Sequence, residues 1–582
     1  MPKPARIVLA AGAALALADA SIVTLALPAL LNELDTTVEG VAAVIGVYTL
    51  ALALALPAAE LIRRRTSTKA ISAVGFAVFA GASVACGVAP DLTTLLIARA
   101  AQAIGGAAGL VGAFAAIGAG RTEPSRLWAA ASVLAVAVGP ALGGAVTQLF
   151  DWRAIFLAQA PIAAIAAVAA LAGARAKPGA VNPGDAWPHE KEPSRDESPK
   201  RPGAFAAAPA RLPLGPTVAL ALVSAALTGV LFLLVLLLIA GWSLEPLAAA
   251  AAVSVLPLAA VVGSRVKGDP RTRAAGGSLL VGAGILMLAS VPGASVVWII
   301  VPQLLAGVGM GLSLDALAGG LLPERTAQEA ARLLAVRHWG ITIALVLLAP
   351  VTASSLESAV EDARERSAAA VLDAKLDPRE KLDMVGPITG ALDPEDPRDG
   401  LNRSLDEVGA DYDDGDDREA FDDMADRLDG TLVRAVNDAF RPAFVVTGLL
   451  ALIAAAILAA QFVVGRHAVR RPSPIAAQTL AICALAALAF PLLQALIAPA
   501  AAPARGEVRD PCGDRELPDT GGLGGFLQDQ GLKALDRAAC KFGSSREELA
   551  LAIADEDEKE AYERKYGVDP RSATDLLGGI LP

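Results

Sequence analysis

A few ionisable side chains stand inside stretches that are otherwise apolar enough to cross a membrane: Asp19, Arg99, Asp315 and His338. Each is costly in hydrocarbon, so such a residue marks an ion path, a substrate contact or a structural pair. Asp19 lies midway along LADASIVTLALPAL and Arg99 within LLIARAAQAIGGAAG. At the helical rise, Asp19 is about 18 Å from the start of its run and Arg99 about 12 Å from the opposite end of its own, nearly one depth in a hydrocarbon core about 30 Å thick. A carboxylate and a guanidinium at one depth can pair. Breaking the pair would let the carboxylate take or release a proton near neutral pH, although an ion pair of this kind can also do no more than pin two helices. Asp315, in GVGMGLSLDALAGGL, is about 10 Å from its helix end. It either titrates together with His338 or reaches the interface as a helix-end residue, with His338 interfacial as well.

The elements that hold these residues follow from hydropathy. The chain of 582 residues is 54% hydrophobic with a mean hydropathy of +0.53, too apolar for a soluble protein of this size. Apolar runs near 7–31, 41–61, 70–89, 92–118, 128–149 and 154–173 predict six spanning helices. A Pro-rich polar linker, 176–213, separates them from six more near 214–240, 246–264, 275–293, 296–322, 333–355 and 441–464. A thirteenth run near 473–499 leads into a polar tail, 501–582. The short basic start up to Arg6 precedes an apolar run with no obvious cleavage site, so the first helix is expected to stay.

Charge placement orients the helices. With the N-terminus cytoplasmic, inner segments hold Arg63, Arg64, Arg65 and Lys69, then Arg265, Lys267, Arg271 and Arg273, then Arg325 and Arg332, whereas short outer loops carry Glu33, Asp35, Glu39, Asp91 and Glu245. This puts the segment 356–440 and the tail outside a plasma membrane. Their charges agree: 25 acidic against 10 basic residues in the loop, and 17 against 11 in the tail. The net charge of −11 makes nucleic acid an unsuitable partner. Helical patches at Leu356–Leu376 and Asp417–Phe440 should extend the flanking spans beyond the lipid, and Phe526–Tyr566 reads as two or three short helices with Ser545 as a cap. Cys512 and Cys540, together in an oxidising compartment, are expected to form a disulfide closing a loop of about 28 residues, with two free thiols as the alternative. No metal site is expected: there is no CxxC, and the acidic run from Asp411 to Asp417 lacks the glycine and glutamate of an EF-hand loop.

The stretch from Ala131 to Ile162, ASVLAVAVGPALGGAVTQLFDWRAIFLAQAPI, carries the most specific pattern. Gly139, Gly143 and Gly144 expose backbone to a close neighbour, and Pro140 removes an internal hydrogen bond. GPxxGG followed by DWRxIFLxxxPI resembles the fifth and sixth helices of the major facilitator superfamily, specifically its drug:proton antiporter branch. Asp19, Ser21, Thr24, Ala26, Leu27 and Pro28 resemble the antiporter motif of the first helix; Arg99, Gln102 and Gly105 resemble that of the fourth, with Ala103 in place of a glycine; Arg337 and Gly340 resemble the entry to the eleventh.

The resemblance implies an all-α membrane protein of two six-helix bundles around a central cavity, here with a thirteenth transmembrane helix and a small external helical domain. It implies that Asp19 faces the cavity as proton or cation carrier with Arg99 controlling it, that Ser21, Thr24 and Gln159 line the cavity, and that no cofactor beyond a proton gradient is needed. Proton-coupled export of a small lipophilic compound is the expected function, and no enzymatic motif appears. One departure favours a different class. The family's loop between helices two and three carries Gly-x-x-x-Asp-Arg-x-Gly-Arg-Lys, whose aspartate latches the bundles, but here it reads PAAELIRRRTSTKAI, with Glu60 as a displaced candidate. A chain that does not cycle would be a membrane scaffold whose external loop and tail bind a partner protein.

Overall fold

The computed structural model describes residues 3–118, 139–172, 212–322, 326–376, 378–392, 397–410, 412, 415–464, 474–501, 506–513 and 522–572. The polar linker, apart from Leu212 and Pro213, and the first part of the span expected at 128–149 lie outside them. Among the described residues ten helices are long and apolar enough to cross a membrane.

The first half consists of α1 (Lys3–Thr24) with its continuation α2 (Leu27–Glu33), α3 (Val38–Arg65), α4 (Thr68–Gly87), α5 (Leu92–Gly118), α6 (139–149) and α7 (Trp152–Ala172), of which α1, α3, α4, α5 and α7 are among those ten. The span expected as one helix over 7–31 is interrupted because Pro28 has no amide hydrogen for the Thr24 carbonyl, so α2 restarts with proline in its first turn. The second half holds α8 (Leu214–Leu236), which ends in a π-turn at Leu237–Gly241, then α9 (Pro246–Val253), α10 (Val255–Ser264), α11 (Pro270–Leu288) and α12 (Val297–Asp315). Here too one expected span is split: Pro257 leaves the Val253 carbonyl without its helical donor, and α9 parts from α10 at Ser254.

The two halves meet along α3 and α13 (Ala327–Leu372), where Thr49 and Thr342 share a buried hydrogen bond of 3.0 Å. Leu334 and Ala335 of α13 also pack into the apolar core of the first half. One loop segment follows as α14 (Pro378–Gly390) and α15 (Pro397–Gly409). The chain re-enters the bundle as α16 (Asp416–Val464), and α17 (Pro474–Ala501) then packs on α11 and α12 through Cys483 and Phe490. Both α13, at 46 residues, and α16, at 49, run far beyond the apolar stretches expected at 333–355 and 441–464.

These extensions carry a cap built from the acidic loop and the tail, α18 (Gly522–Phe542), α19 (Arg546–Ala554) and α20 (Glu556–Tyr566). Two acidic segments bind each other here through an apolar contact of Leu372, Leu532 and Ala550 beside two buried cations, Arg546 and Lys381. Arg546 lies 2.7 Å from Asp373 and 2.9 Å from Glu547. Ser545 caps α19 with a reciprocal Glu548 bond. The tail segment 506–513 crosses between the helical extensions, where the Gly506 amide donates to Thr431 Oγ1 at 2.9 Å. A disulfide joins Cys512 to Cys540 of α18. Arg398 clamps the cap to the end of α8: it binds Asp429 through two nitrogens at 2.7 and 3.1 Å and donates to the Trp242 carbonyl at 2.9 Å. All of these ties are to the second half.

Candidate functional site

Helices α1, α3, α4, α5 and α7 converge on a polar cluster inside the first half. Asp19 and Arg99 are both fully buried, with Asp19 Oδ2 2.6 Å from Arg99 Nη1. Arg99 has several further supports. Its Nε donates to the Val44 carbonyl at 3.2 Å, Nη1 donates to Gln102 Oε1 at 2.6 Å, and its guanidinium lies 4.2 Å over the Tyr48 ring and 5.5 Å from that of Phe156. Gln102, one turn further along α5, donates to Ser83 Oγ at 2.8 Å and to Gln159 Oε1 at 2.9 Å, linking α4 and α7. Tyr48 in turn donates to the Ala16 carbonyl at 2.8 Å. The arginine is therefore held by groups of α3, α5 and α7 whether or not Asp19 is charged. Delocalised charge and planar faces make guanidinium suited to such a place, whereas an ammonium has neither a planar face to stack nor a fork of donors.

The expectation that Asp19 faces an open cavity does not describe this conformation. Its carboxylate is enclosed by helices of one bundle, because the packing of α1 on α5 and α7 seals it. Gln159 is in the same cluster. Ser21 and Thr24 turn back on their own helix, donating to the Ala18 and Ala20 carbonyls at 2.7 Å each.

The glycines of α6 link this cluster to the other half. A Cβ at Gly139 would overlap Ser21 Oγ, and one at Gly143 would overlap the Ile22 carbonyl, so α6 lies directly on the segment of α1 that carries Asp19. A Cβ at Gly144 would overlap that of Ala250 and lie 2.7 Å from the Pro246 carbonyl, so the same helix touches α9. Pro140 is buried at the start of the described part of α6. Gln148 closes this end of the interface, donating to Glu245 at 2.8 Å and accepting from the Leu247 amide at 2.8 Å. Trp152 and Arg153, just beyond, bind Glu33 and pin the α6–α7 turn to the end of α2. The hydrogen bond from Arg153 above all, against an opposing push from burial and with help from Trp152 and the Arg153 charge, holds the Glu33 carboxyl below the usual range.

The expected pairing of Asp315 with His338 is not formed. Asp315 is half-exposed at the end of α12 and pairs with Arg273 at 2.6 Å. His338 is buried in α13, with Nδ1 2.7 Å from the Leu334 carbonyl; that oxygen only accepts, so Nδ1 carries the proton. Asp315 thus finds its partner in α11 and His338 in its own helix, which depth arithmetic alone does not reveal. Glu60 pairs within its own helix, at 2.7 Å from Arg63 and 3.3 Å from Arg64. Tyr48, Ser83 and the Val44 carbonyl were not legible as site members. A tyrosine alone in an apolar helix was the one available signal.

A superfamily model described as "Major Facilitator Superfamily" matches residues 9–349, and the chain belongs to that family of membrane transporters, which are not enzymes. It is 34% identical over 170 residues to the methylenomycin A resistance protein of Bacillus subtilis (strain 168), covering 28% of this chain and 36% of the relative. To the multidrug resistance protein Stp of Mycobacterium tuberculosis (strain ATCC 25618 / H37Rv) it is 30% identical over 153 residues, 25% of this chain and 28% of the relative. The puromycin resistance protein of Streptomyces alboniger is 34% identical over 175 residues, with 28% and 35% covered. The chain thus spans about a third of the length of these curated relatives. The fold is similar to the crystal structure of a bacterial homologue of the human lysosomal transporter Spinster in its inward-facing, unoccupied conformation, with a TM-score of 0.51 at 15% identity over 80% of this chain and 98% of that one.

Proposed function

We propose that this chain exports a lipophilic or amphiphilic compound across the plasma membrane in exchange for protons, by alternating access, with Asp19 as the proton carrier and Arg99 as the group that sets its charge. The observation that carries this reading is the fully buried Asp19–Arg99 contact of 2.6 Å. A proton arriving on Asp19 removes its attraction to Arg99, while Arg99 keeps Gln102, Val44, Tyr48 and Phe156 and stays in place. The change is then felt by α1, and α6 lies on α1 at Ala18–Ile22 and on α9 at Pro246–Ala250. One helix therefore connects the titrating carboxylate to the contact between bundles.

Orientation follows the basic loops: Arg63–Arg65 and Arg271–Arg273 face the cytoplasm, together with the N-terminus, and the cap faces outward. Drug, lipid and metabolite all fit an apolar path with one carboxylate, and the names of the resistance proteins above favour an antibiotic-like compound. The scaffold reading loses its main support because the loop and tail occupy each other's binding faces through Arg546 and Leu372.

The test is efflux of a lipophilic cationic dye from cells lacking their own pumps, comparing the intact chain, Asp19→Asn, and the intact chain with a protonophore. Efflux that disappears in both perturbed cases supports the reading. Dye movement that survives Asp19→Asn overturns the role given to that residue.

A further inference from the structure

Glycine contacts fix how the two halves correspond. Gly105 of α5 packs against the Phe79 amide and the Gly75 carbonyl of α4, and Gly309 of α12 packs in the same way against the Val281 amide and the Gly277 carbonyl of α11. Gly75 returns the contact to the Gly109 amide, and Gly277 to that of Ser313. With Gly105 laid on Gly309, Arg99 falls on Gln303.

Gln303 is fully buried, and among the described residues neither its Oε1 nor its Nε2 has a hydrogen-bond partner. An amide can donate twice and accept twice, and enclosing one with nothing to bind is destabilising in a way that an apolar residue of similar size would avoid. Its place suggests what it is for. One turn after Gln303, Gly307 lies against the Leu256 carbonyl of α10, so Gln303 stands level with the last turn of α9. That short helix, cut from α10 at Ser254, is the piece of the second half that meets Gly144 of α6.

We infer that Gln303 is a substrate-binding residue, whose amide pairs with a carboxamide or similar donor–acceptor group of the transported compound once α9 parts from α6. The inference rests on the export reading above and adds to it the chemical class that the second half recognises. An apolar cation crosses on the strength of the path alone; an amide-bearing compound gains one contact more.

The experiment uses two probes on the full chain in inside-out vesicles: puromycin, which carries an amide, and tetraphenylphosphonium, which has no hydrogen-bonding group. Gln303→Leu is expected to raise the KM for puromycin about tenfold, the loss of about 1.4 kcal/mol, to leave that for tetraphenylphosphonium unchanged, and to melt no lower than the intact protein. An unchanged puromycin KM, an equal effect on both probes, or a lowered melting temperature overturns the inference, the last because it would show the amide to be a structural partner. Should the intact chain move neither probe, the export reading fails by itself. Puromycin-induced thermal stabilisation of the purified protein then decides the inference: present in the intact chain and lost in Gln303→Leu if it holds, absent from the intact chain or equal in both if it does not.

Discussion

The two halves share helix order and glycine packing, yet differ where their cores are polar. The first surrounds Arg99 with an acid, an amide, a backbone carbonyl and two aromatic faces, whereas the second places Gln303 at the matching position with no partner among the described residues, in a half whose α8 contains no ionisable residue. The basic loops differ in the opposite sense. In the second half Asp269 caps α11, accepting from the Arg271 and Thr272 amides at 3.1 Å each, and Arg273 reaches across to Asp315 of α12. In the first, Glu60 serves only arginines of its own helix. A repeat can thus keep its architecture while buried charge concentrates in one half and the helix-to-helix tie survives in the other. In the proposals above, the proton belongs to the first half and the substrate amide to the second.

The largest effect should come from removing the cation. Arg99→Ala leaves Asp19 enclosed without a counter-charge, and is expected to cost about 3–5 kcal/mol in thermal unfolding. Arg99→Lys should recover only part of this, since an ammonium cannot stack on Tyr48 while also reaching Gln102. If lysine restored full stability, the stacking and fork geometry would be irrelevant and the contrast with Gln303 would shrink to charge alone. The reciprocal change, Gln303→Arg, brings a charge into a core with no acid on α8, and should destabilise by several kcal/mol, on the order of 3; a neutral outcome would mean that the second half is as polar as the first.

Smaller effects probe what joins the halves. Gly144→Leu overfills the contact with Ala250 and Pro246, a strain of about 1–3 kcal/mol, and should shift the protein away from the closed arrangement. A cysteine pair placed at Gln148 and Glu245 would then crosslink less than in the unaltered background.

Much of this was legible in the chain. The runs of apolar residues marked the spans, and the depth of Asp19 and Arg99 along their helices put them within reach of each other. Depth says nothing about helix face, which is why Asp315 and His338 looked like a pair and are not. The helix breaks at Leu25–Ala26 and Ser254 were also within reach of the residues alone, since Pro28 and Pro257 each remove one amide donor, but long apolar runs on both sides hid them. The cap was least legible. Two acidic segments are poor partners by net charge, and their packing shows how Arg546, Lys381 and three apolar residues outweigh it.

The cap offers the smallest test. Half-burial pushes the Glu548 carboxyl up, but Lys565 at 2.5 Å, the Ser545 amide at 3.1 Å and the Tyr566 hydroxyl at 2.8 Å hold it below the usual glutamate range. A depressed folded value contributes stability above the unfolded value and loses it as pH falls through the folded one. Glu548→Gln should therefore cost about 1 kcal/mol of cap stability at pH 7, read by hydrogen exchange of α19 and α20, and almost nothing near pH 3. A cost that stays constant with pH would assign the residue to capping alone.

The central claim is that Asp19 carries the proton, and it is tested most directly in proteoliposomes holding purified protein and an internal pH indicator. With the intact chain, adding puromycin against an imposed proton gradient should speed the collapse of that gradient. Asp19→Asn, folded and still stabilised by puromycin, should leave the collapse at the rate of empty liposomes. Substrate-driven proton movement that persists at the intact rate in Asp19→Asn would contradict the account.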